Sequence, residues 1–97
     1  MKLDFTQEIK DLDGKPIKDA KDVSLTLKAV AINALLTQLE GENPSGEEKA
    51  KSYALALKIN DGVTEVSIDE AARLKAAIGK LYTPLVVGRA FELLEGK

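Results

Sequence analysis

Two capping boxes in the central part of the chain constrain its fold more than any other feature of the sequence. Ser45 stands three residues before Glu48, and Ser67 stands three residues before Glu70. At this spacing the serine hydroxyl accepts a hydrogen bond from an amide of the first helical turn, and the glutamate side chain accepts one from the serine amide. Each pair therefore predicts the start of a helix, and the later helix is expected to cover residues 68–81.

Two further helix starts flank this pair. Thr26 suits an N-cap and precedes residues 27–39, in which apolar side chains recur every three to four positions. Thr83 is also predicted to act as an N-cap. It precedes Pro84, and proline is favoured at the first helical position because its missing amide needs no partner there. The sequence thus predicts a first helix over residues 27–39 and a last helix over residues 84–95. The first is apolar around most of its circumference, so it is expected at the centre of the fold.

The helix that follows Ser45 is expected to turn a single apolar face towards the core. This inner face is predicted to be marked by apolar residues at helical spacing, with Ile59 near the end of the helix; the marking residues are Ala50, Tyr53, Ala54 and Leu57.

The first residues of the chain alternate, with the mainly apolar set Leu3, Phe5, Gln7 and Ile9 on one side and polar residues on the other. A period of two is typical of a half-buried β-strand. Gly14 then marks a turn, because glycine adopts positive φ without steric cost. The sequence predicts a β-hairpin over residues 3–18.

Together these elements predict one α+β domain that spans residues 1–97. The N-terminal β-hairpin is expected to pack on a mainly helical bundle of about four helices, which occupies residues 27–95. A chain of 97 residues has the size of a single domain.

The side chains that carry most enzyme chemistry are missing from the sequence. It contains no His and no Cys, which removes imidazole and thiolate metal sites, cysteine nucleophiles and His-based triads. The neighbouring carboxylates Glu47-Glu48 and Asp69-Glu70 fall in first helical turns, where the helix dipole favours them whatever the function. The acidic turn at residues 11–14 lacks the spacing of a calcium loop. We therefore expect a protein that is not an enzyme and that uses no cofactor, metal or small-molecule substrate.

The charge of the chain is nearly balanced, since 16 acidic and 14 basic residues give a net charge of −2. This balance supplies no electrostatic drive for binding nucleic acid. The longest apolar stretch, residues 29–36, is much shorter than the roughly 18 residues of a membrane-spanning helix. The acidic residues near the N-terminus do not fit a secretory signal. Neither nucleic acid nor a membrane is therefore expected as a partner.

Segments spread over nearly the whole chain carry a resemblance to a known group of proteins. They are residues 2–5, 11–17, 25–28, 31–36 and 82–90, the last reading Tyr-Thr-Pro-Leu-Val-Val-Gly-Arg-Ala. In this pattern the chain resembles small proteins encoded by tailed bacteriophages and prophages. The resemblance implies a phage origin, a non-enzymatic role and a location in the host bacterial cytoplasm or in the virion. It supplies no catalytic residues.

Three side chains are candidates for contact with a protein partner: Tyr53, Tyr82 and Arg89. Tyrosine and arginine are enriched among the residues that anchor interfaces. Tyr82 lies at the corner between the third and fourth helices, with Arg89 about a turn and a half into the next helix, and Tyr53 is expected to complete the patch. The alternative is that both tyrosines fill the core, because aromatic residues are scarce in this chain.

These properties predict a protein that acts by protein–protein contact. The first hypothesis is a phage assembly or accessory factor that binds another phage protein or a second copy of itself. The alternative hypothesis is an inhibitor or modulator of a host protein, such as a defence or transcription component.

Overall fold

Four α-helices account for most of the part of the chain that the computed structural model describes, which is residues 2–18, 22–37 and 43–95. In chain order they are α1 (Leu27–Leu36), α2 (Gly46–Asn60), α3 (Ile68–Leu81) and α4 (Pro84–Leu94). The predicted set of four helices is confirmed, and α3 has the predicted bounds.

The first helix ends earlier than the sequence predicts. The backbone becomes extended at Thr37, whose hydroxyl donates to the carbonyl oxygen of Asn33 at 2.6 Å and so caps the end of α1. A threonine that bonds back to the preceding turn offers the chain an alternative to continuing the helix. The remaining predicted helical positions, 38 and 39, lie outside the described residues.

The central position predicted for α1 is confirmed. This helix packs against each of the other three, and α3 also packs against α4. The largest fully buried side chains come from the N-terminal segment, from the loop before α3 and from all four helices, and they are Ile9, Leu27, Val30, Ile59, Val66, Leu74, Ile78 and Leu94. Each fully buried side chain of this kind contributes about 1.5–3 kcal/mol. A single shared core therefore holds the helices together.

The capping box at the start of α3 is confirmed. The Glu70 amide donates to the Ser67 hydroxyl at 3.1 Å, and the Ser67 amide donates to the Glu70 carboxylate at 2.8 Å. At the start of α2 the Ser45 hydroxyl accepts from the Glu48 amide at 3.1 Å, whereas the Glu48 carboxylate reaches Arg73 of α3. At Ser45 only the serine half of the predicted capping box is formed, and the Glu48 side chain makes a tertiary contact instead.

The two helices that follow a threonine, α1 after Thr26 and α4 after Thr83, begin in different ways. The Thr26 hydroxyl accepts from the Ala29 amide at 3.2 Å, as expected for an N-cap. The predicted cap by Thr83 is wrong, because its side chain makes no capping hydrogen bond. At this position Pro84 alone marks the start of α4, since its fixed φ suits the helix and its missing amide removes one unpaired donor.

The face of α2 that packs against the core is opposite to the predicted face. All four residues of the predicted inner face are exposed, including Tyr53 at 60% and Leu57 at 46%. The buried residues are Leu55, Ala56 and Ile59, of which Ile59 was expected near the end of the helix. The helix thus has apolar residues on two nearly opposite faces, and packing against α1 selects the second.

The predicted α+β class is wrong, because the described residues contain no β-strand and the predicted hairpin over residues 3–18 is not formed. The backbone there makes isolated antiparallel bridges, and they connect Lys2 with Glu65, Glu8 with Thr26, Lys10 with Pro16, and Lys18 with Ser24. The fold is therefore a four-helix arrangement with an irregular N-terminal segment. Of the residues that the alternation places on one side, the apolar Leu3, Phe5 and Ile9 are buried, whereas Gln7 is exposed.

Two local features explain why no ladder forms. Asp4 accepts a hydrogen bond from the Thr6 amide at 2.9 Å, and the backbone turns at this point. A short polar side chain that bonds a nearby amide competes with strand pairing in this way. Pro16 then faces Lys10 in a bridge but has no amide with which to extend the pairing.

A ring of three backbone hydrogen bonds replaces the expected hairpin. The Ile17 amide donates to Ile9 at 2.9 Å, the Leu25 amide to Ile17 at 2.8 Å, and the Ile9 amide to Leu25 at 2.7 Å. Ile9 is fully buried, and the other two side chains pack against the core. Buried backbone groups need partners, and the ring supplies them without a sheet.

Candidate protein-binding groove

An open groove of about 630 Å³ lies between α2 and α3, with the C-terminal part of α1 beneath it. Ala34 and Leu35 of α1 line the groove and are buried. Leu36 and Tyr53 also line it and are the large apolar residues at its edge, 58% and 60% exposed. The groove therefore offers apolar surface at an accessible place on the molecule.

One wall of the groove is a continuous face of α3. The residues of this face recur at helical spacing and are Asp69, Ala72, Arg73, Ala76, Ala77 and Lys80. Ala72 and Ala76 are exposed. The distance between packed helices depends on the side chains at their contact, so these small residues permit another backbone to approach α3 closely.

Arg73 of α3 contacts α2 and so links the two walls of the groove. Its guanidinium lies 2.9 Å from the Glu48 carboxylate and 3.4 Å from the Ser52 hydroxyl, both on α2. The hydrogen bond from Arg73, together with its charge, lowers the pKa of Glu48 from its ordinary value. Through these contacts, polar side chains join α2 and α3 across the gap.

A second ion pair between the same helices joins Lys58 of α2 to Glu70 of α3. The Lys58 ammonium lies 3.0 Å from each oxygen of the Glu70 carboxylate. The pKa of Glu70 is lowered, mainly by the hydrogen bond from the Ser67 amide. Burial is the next largest effect and opposes the lowering, and Lys58 lowers the pKa further. The capping box of α3 is thereby coupled to the end of α2.

The three predicted partner-binding residues have different surroundings. Tyr53 lies at the edge of the groove. Tyr82 is half-buried against the core, and its hydroxyl accepts a hydrogen bond from the Asn33 side chain at 2.9 Å. Arg89 donates to the carbonyl oxygen of Asp11 at 2.7 Å. Tyr82 and Arg89 thus take part in tertiary contacts with different segments, and of the three only Tyr53 lines the groove.

Sequence reasoning missed the residues that shape the groove. Leu36 belongs to a helix that is apolar on most sides, so nothing in the pattern distinguishes it from a core residue. Ala72 and Ala76 are spaced by one helical turn and could have been noticed as small residues on a shared face. Arg73 gives no local signal, because its partners on α2 are remote in the sequence.

The described residues show neither a metal site nor a membrane-spanning helix. No group of three or more Asp, Glu, His or Cys side chains is placed to hold a metal ion in this part of the chain. None of the helices in the described ranges combines the length and the apolar character that a membrane span requires.

No family model, curated protein or solved structure matches this chain. The function is therefore inferred from the surface chemistry of the fold.

Proposed function

We propose that this protein acts by binding another protein, and that the groove between α2 and α3 receives a helical segment of that partner. The observation that carries the proposal is the pair of large apolar side chains at the edge of the groove, Leu36 and Tyr53, both more than half exposed. Aromatic and apolar residues in a concave surface are typical of sites that bind an apolar ligand segment. The contact is expected to bury both side chains.

The shape of the groove favours a helix as the bound segment. Its α3 wall runs from Asp69 to Lys80 and is therefore about 18 Å long, which matches about three turns of a second helix. Ala72 and Ala76 allow close approach along that wall. Helices that bind in this way insert apolar residues at i, i+3, i+4 and i+7.

The charges along the groove indicate what accompanies those apolar residues. Among the described residues of the lining, Lys49, Arg73 and Lys80 are basic, and Glu48, which contacts Arg73, is one of two acidic residues. Asp69 is the other acidic residue in the lining. A partner helix with carboxylates beside its apolar stripe would be complementary to this small excess of positive charge.

We propose that the biological role is that of a phage assembly or accessory factor, located in the host bacterial cytoplasm or in the virion. The support for this part is the resemblance in sequence pattern to small proteins of tailed bacteriophages and prophages. The alternative role is that of an inhibitor or modulator of a host protein. Both roles use the same kind of contact, so the identity of the partner distinguishes them.

Affinity capture from phage-infected or prophage-bearing cells, followed by mass spectrometry, tests the role. A phage structural or assembly protein among the captured partners would support the first role, and a host defence or transcription protein would support the alternative. The candidate partner is then purified, and its affinity is measured directly.

Two matched substitutions test the groove itself. Ala76→Gln places a longer neutral side chain against the α3 wall, and Ala29→Gln makes the same change at an exposed helical position outside the groove. We expect Ala76→Gln to weaken binding at least about tenfold, which is about 1.4 kcal/mol, and the control to leave it unchanged. Equal affinities for the two folded variants would exclude the groove as the binding site. Tyr82 and Arg89 remain predicted contacts, and the same assay on Tyr82→Phe tests the first of them.

A further inference from the structure

The beginning of α2 forms part of the groove but has little support from the core. Among residues 46–54 only Ser52 is partly buried, and all the others are exposed. The buried residues of this helix are Leu55, Ala56 and Ile59, which all lie further along it. The core therefore holds the second part of α2, while residues 46–54 extend beyond it along the groove.

A helical segment as short as residues 46–54 is not stable in water by itself. Isolated helices of fewer than about 12–15 residues are marginal, because the first turn is costly to form. Two local contacts support the segment: the Ser45 hydroxyl caps the Glu48 amide at 3.1 Å, and Lys51 lies 3.4 Å from Glu47. The ion pair is more than half exposed and contributes little. The segment therefore depends on contacts with other elements.

Arg73 of α3 supplies such a contact. Its guanidinium bonds both Glu48 and Ser52, which lie one turn apart in the segment. In the described part of the chain, α2 and α3 each pack against α1 but make no extensive contact with each other. The ion pair between Lys58 and Glu70 joins α3 to the second part of α2. Arg73 thus fastens residues 46–54 to the opposite side of the groove.

We propose that residues 46–54 form a movable wall of the groove and that Arg73 latches this wall in the free protein. The wall opens by local loss of helical structure, which uncovers no buried apolar side chain of its own. Segments with few buried contacts open at low cost in free energy, and changes between order and disorder in such segments are a known way to switch a site. A partner helix enters while the movable wall is open and is covered when the wall re-forms. This use of the wall rests on the proposed function, whereas its opening in the free chain does not.

Amide hydrogen exchange of the free chain, measured for each residue by NMR, tests the movable wall. The comparison lies within α2, between the amides of residues 50–54 and those of residues 56–60. After correction for intrinsic rates, we expect the first group to exchange at least about tenfold faster, because it opens without the core. Equal protection of the two groups would show that α2 opens as one unit and would overturn the proposal.

Arg73→Gln tests the latch, and Lys75→Gln is a matched control on the same helix. Lys75 lies 3.5 Å from Glu95, so its ion pair joins α3 to the end of α4 instead of to α2. Because both pairs are partly exposed, the expected effect of Arg73→Gln is modest, about two- to fivefold faster exchange in residues 50–54 and no change in residues 56–60. Lys75→Gln should leave both groups unchanged, and about 1 M salt should reduce the effect of Arg73→Gln by screening the ion pair in the wild type. Equal exchange of residues 50–54 in the two variants would overturn the latch.

Exchange in the bound state separates this inference from the groove proposal. When the partner protein purified after affinity capture is added, the exchange of residues 50–54 should slow more than that of residues 56–60. A wall that opens in the free chain but gains no protection from the bound partner would exclude the groove as the binding site and would refute the covering step. Equal protection of the two groups in the free chain would refute the movable wall, whatever the partner does.

Discussion

The two apolar faces of α2 provide the sharpest test of the fold. Leu55 and Leu57 are two positions apart on one helix, but Leu55 is 3% exposed and Leu57 is 46% exposed. We predict that Leu55→Ala strongly lowers the free energy of unfolding, whereas Leu57→Ala lowers it little. The two substitutions are chemically identical and change the intrinsic helix propensity equally. Any difference between them therefore reports burial.

The expected magnitudes follow from these exposures. Truncation of a fully buried leucine removes its transfer free energy and leaves a cavity, which together cost about 2–5 kcal/mol. Leu57 loses only about half of the transfer free energy and leaves no enclosed cavity, so the cost is expected to stay below about 1 kcal/mol. In a domain of this size each 1 kcal/mol corresponds to about 4–8 °C in Tm. Leu55→Ala should thus lower Tm by at least about 8 °C.

Urea unfolding followed by circular dichroism measures both variants, together with the wild type. All three chains are measured at the same low concentration, so that any self-association contributes nothing to the measured stability. If Leu57→Ala proves as costly as Leu55→Ala at this concentration, or more so, the face assigned to the core would be wrong.

Two further predictions concern single side chains. The folded-state pKa of Glu70 lies below its ordinary value of 4.5, so its contribution to stability is present above that value and is lost as the pH falls through the lowered pKa. Glu70→Gln is therefore expected to unfold more easily at about pH 7 and to lose less stability between about pH 5 and pH 3, and an unchanged pH profile of urea unfolding would contradict this role. Arg89→Lys keeps the charge but removes the guanidinium bond to the Asp11 carbonyl, so we expect a loss of about 1–2 kcal/mol and faster amide hydrogen exchange in the turn that follows Asp11. Exchange as slow as in the wild type would show that this bond does not hold the turn.

The helix starts were predictable because the interactions that make them are local. The Ser67 and Glu70 side chains bond amides three residues away, and these contacts form in any helix that begins there. The inner face of α2 was not predictable in the same way. Two apolar stripes satisfy the helical period equally well, and only contact with α1 decides which of them is buried.

The candidate groove was not predictable, because contacts between remote segments create it. Its walls belong to separate helices, and the side chains that line it are ordinary in their own local sequence. Among the predicted binding residues, Tyr53 lines the groove because the face of α2 is reversed relative to the prediction. Arg89 is instead bound to Asp11, which is 78 positions away in the chain.

The sequence by itself determined where the helices begin and which N-terminal residues are buried. Both depend on side chains within a few positions of one another, either through capping bonds or through alternation along an extended backbone. Only the tertiary structure decided how the N-terminal backbone is paired and which surfaces stay open. Ile9 obtains its partners from Ile17 and Leu25 in a ring, because backbone hydrogen bonds go to whichever segments the common core brings within reach.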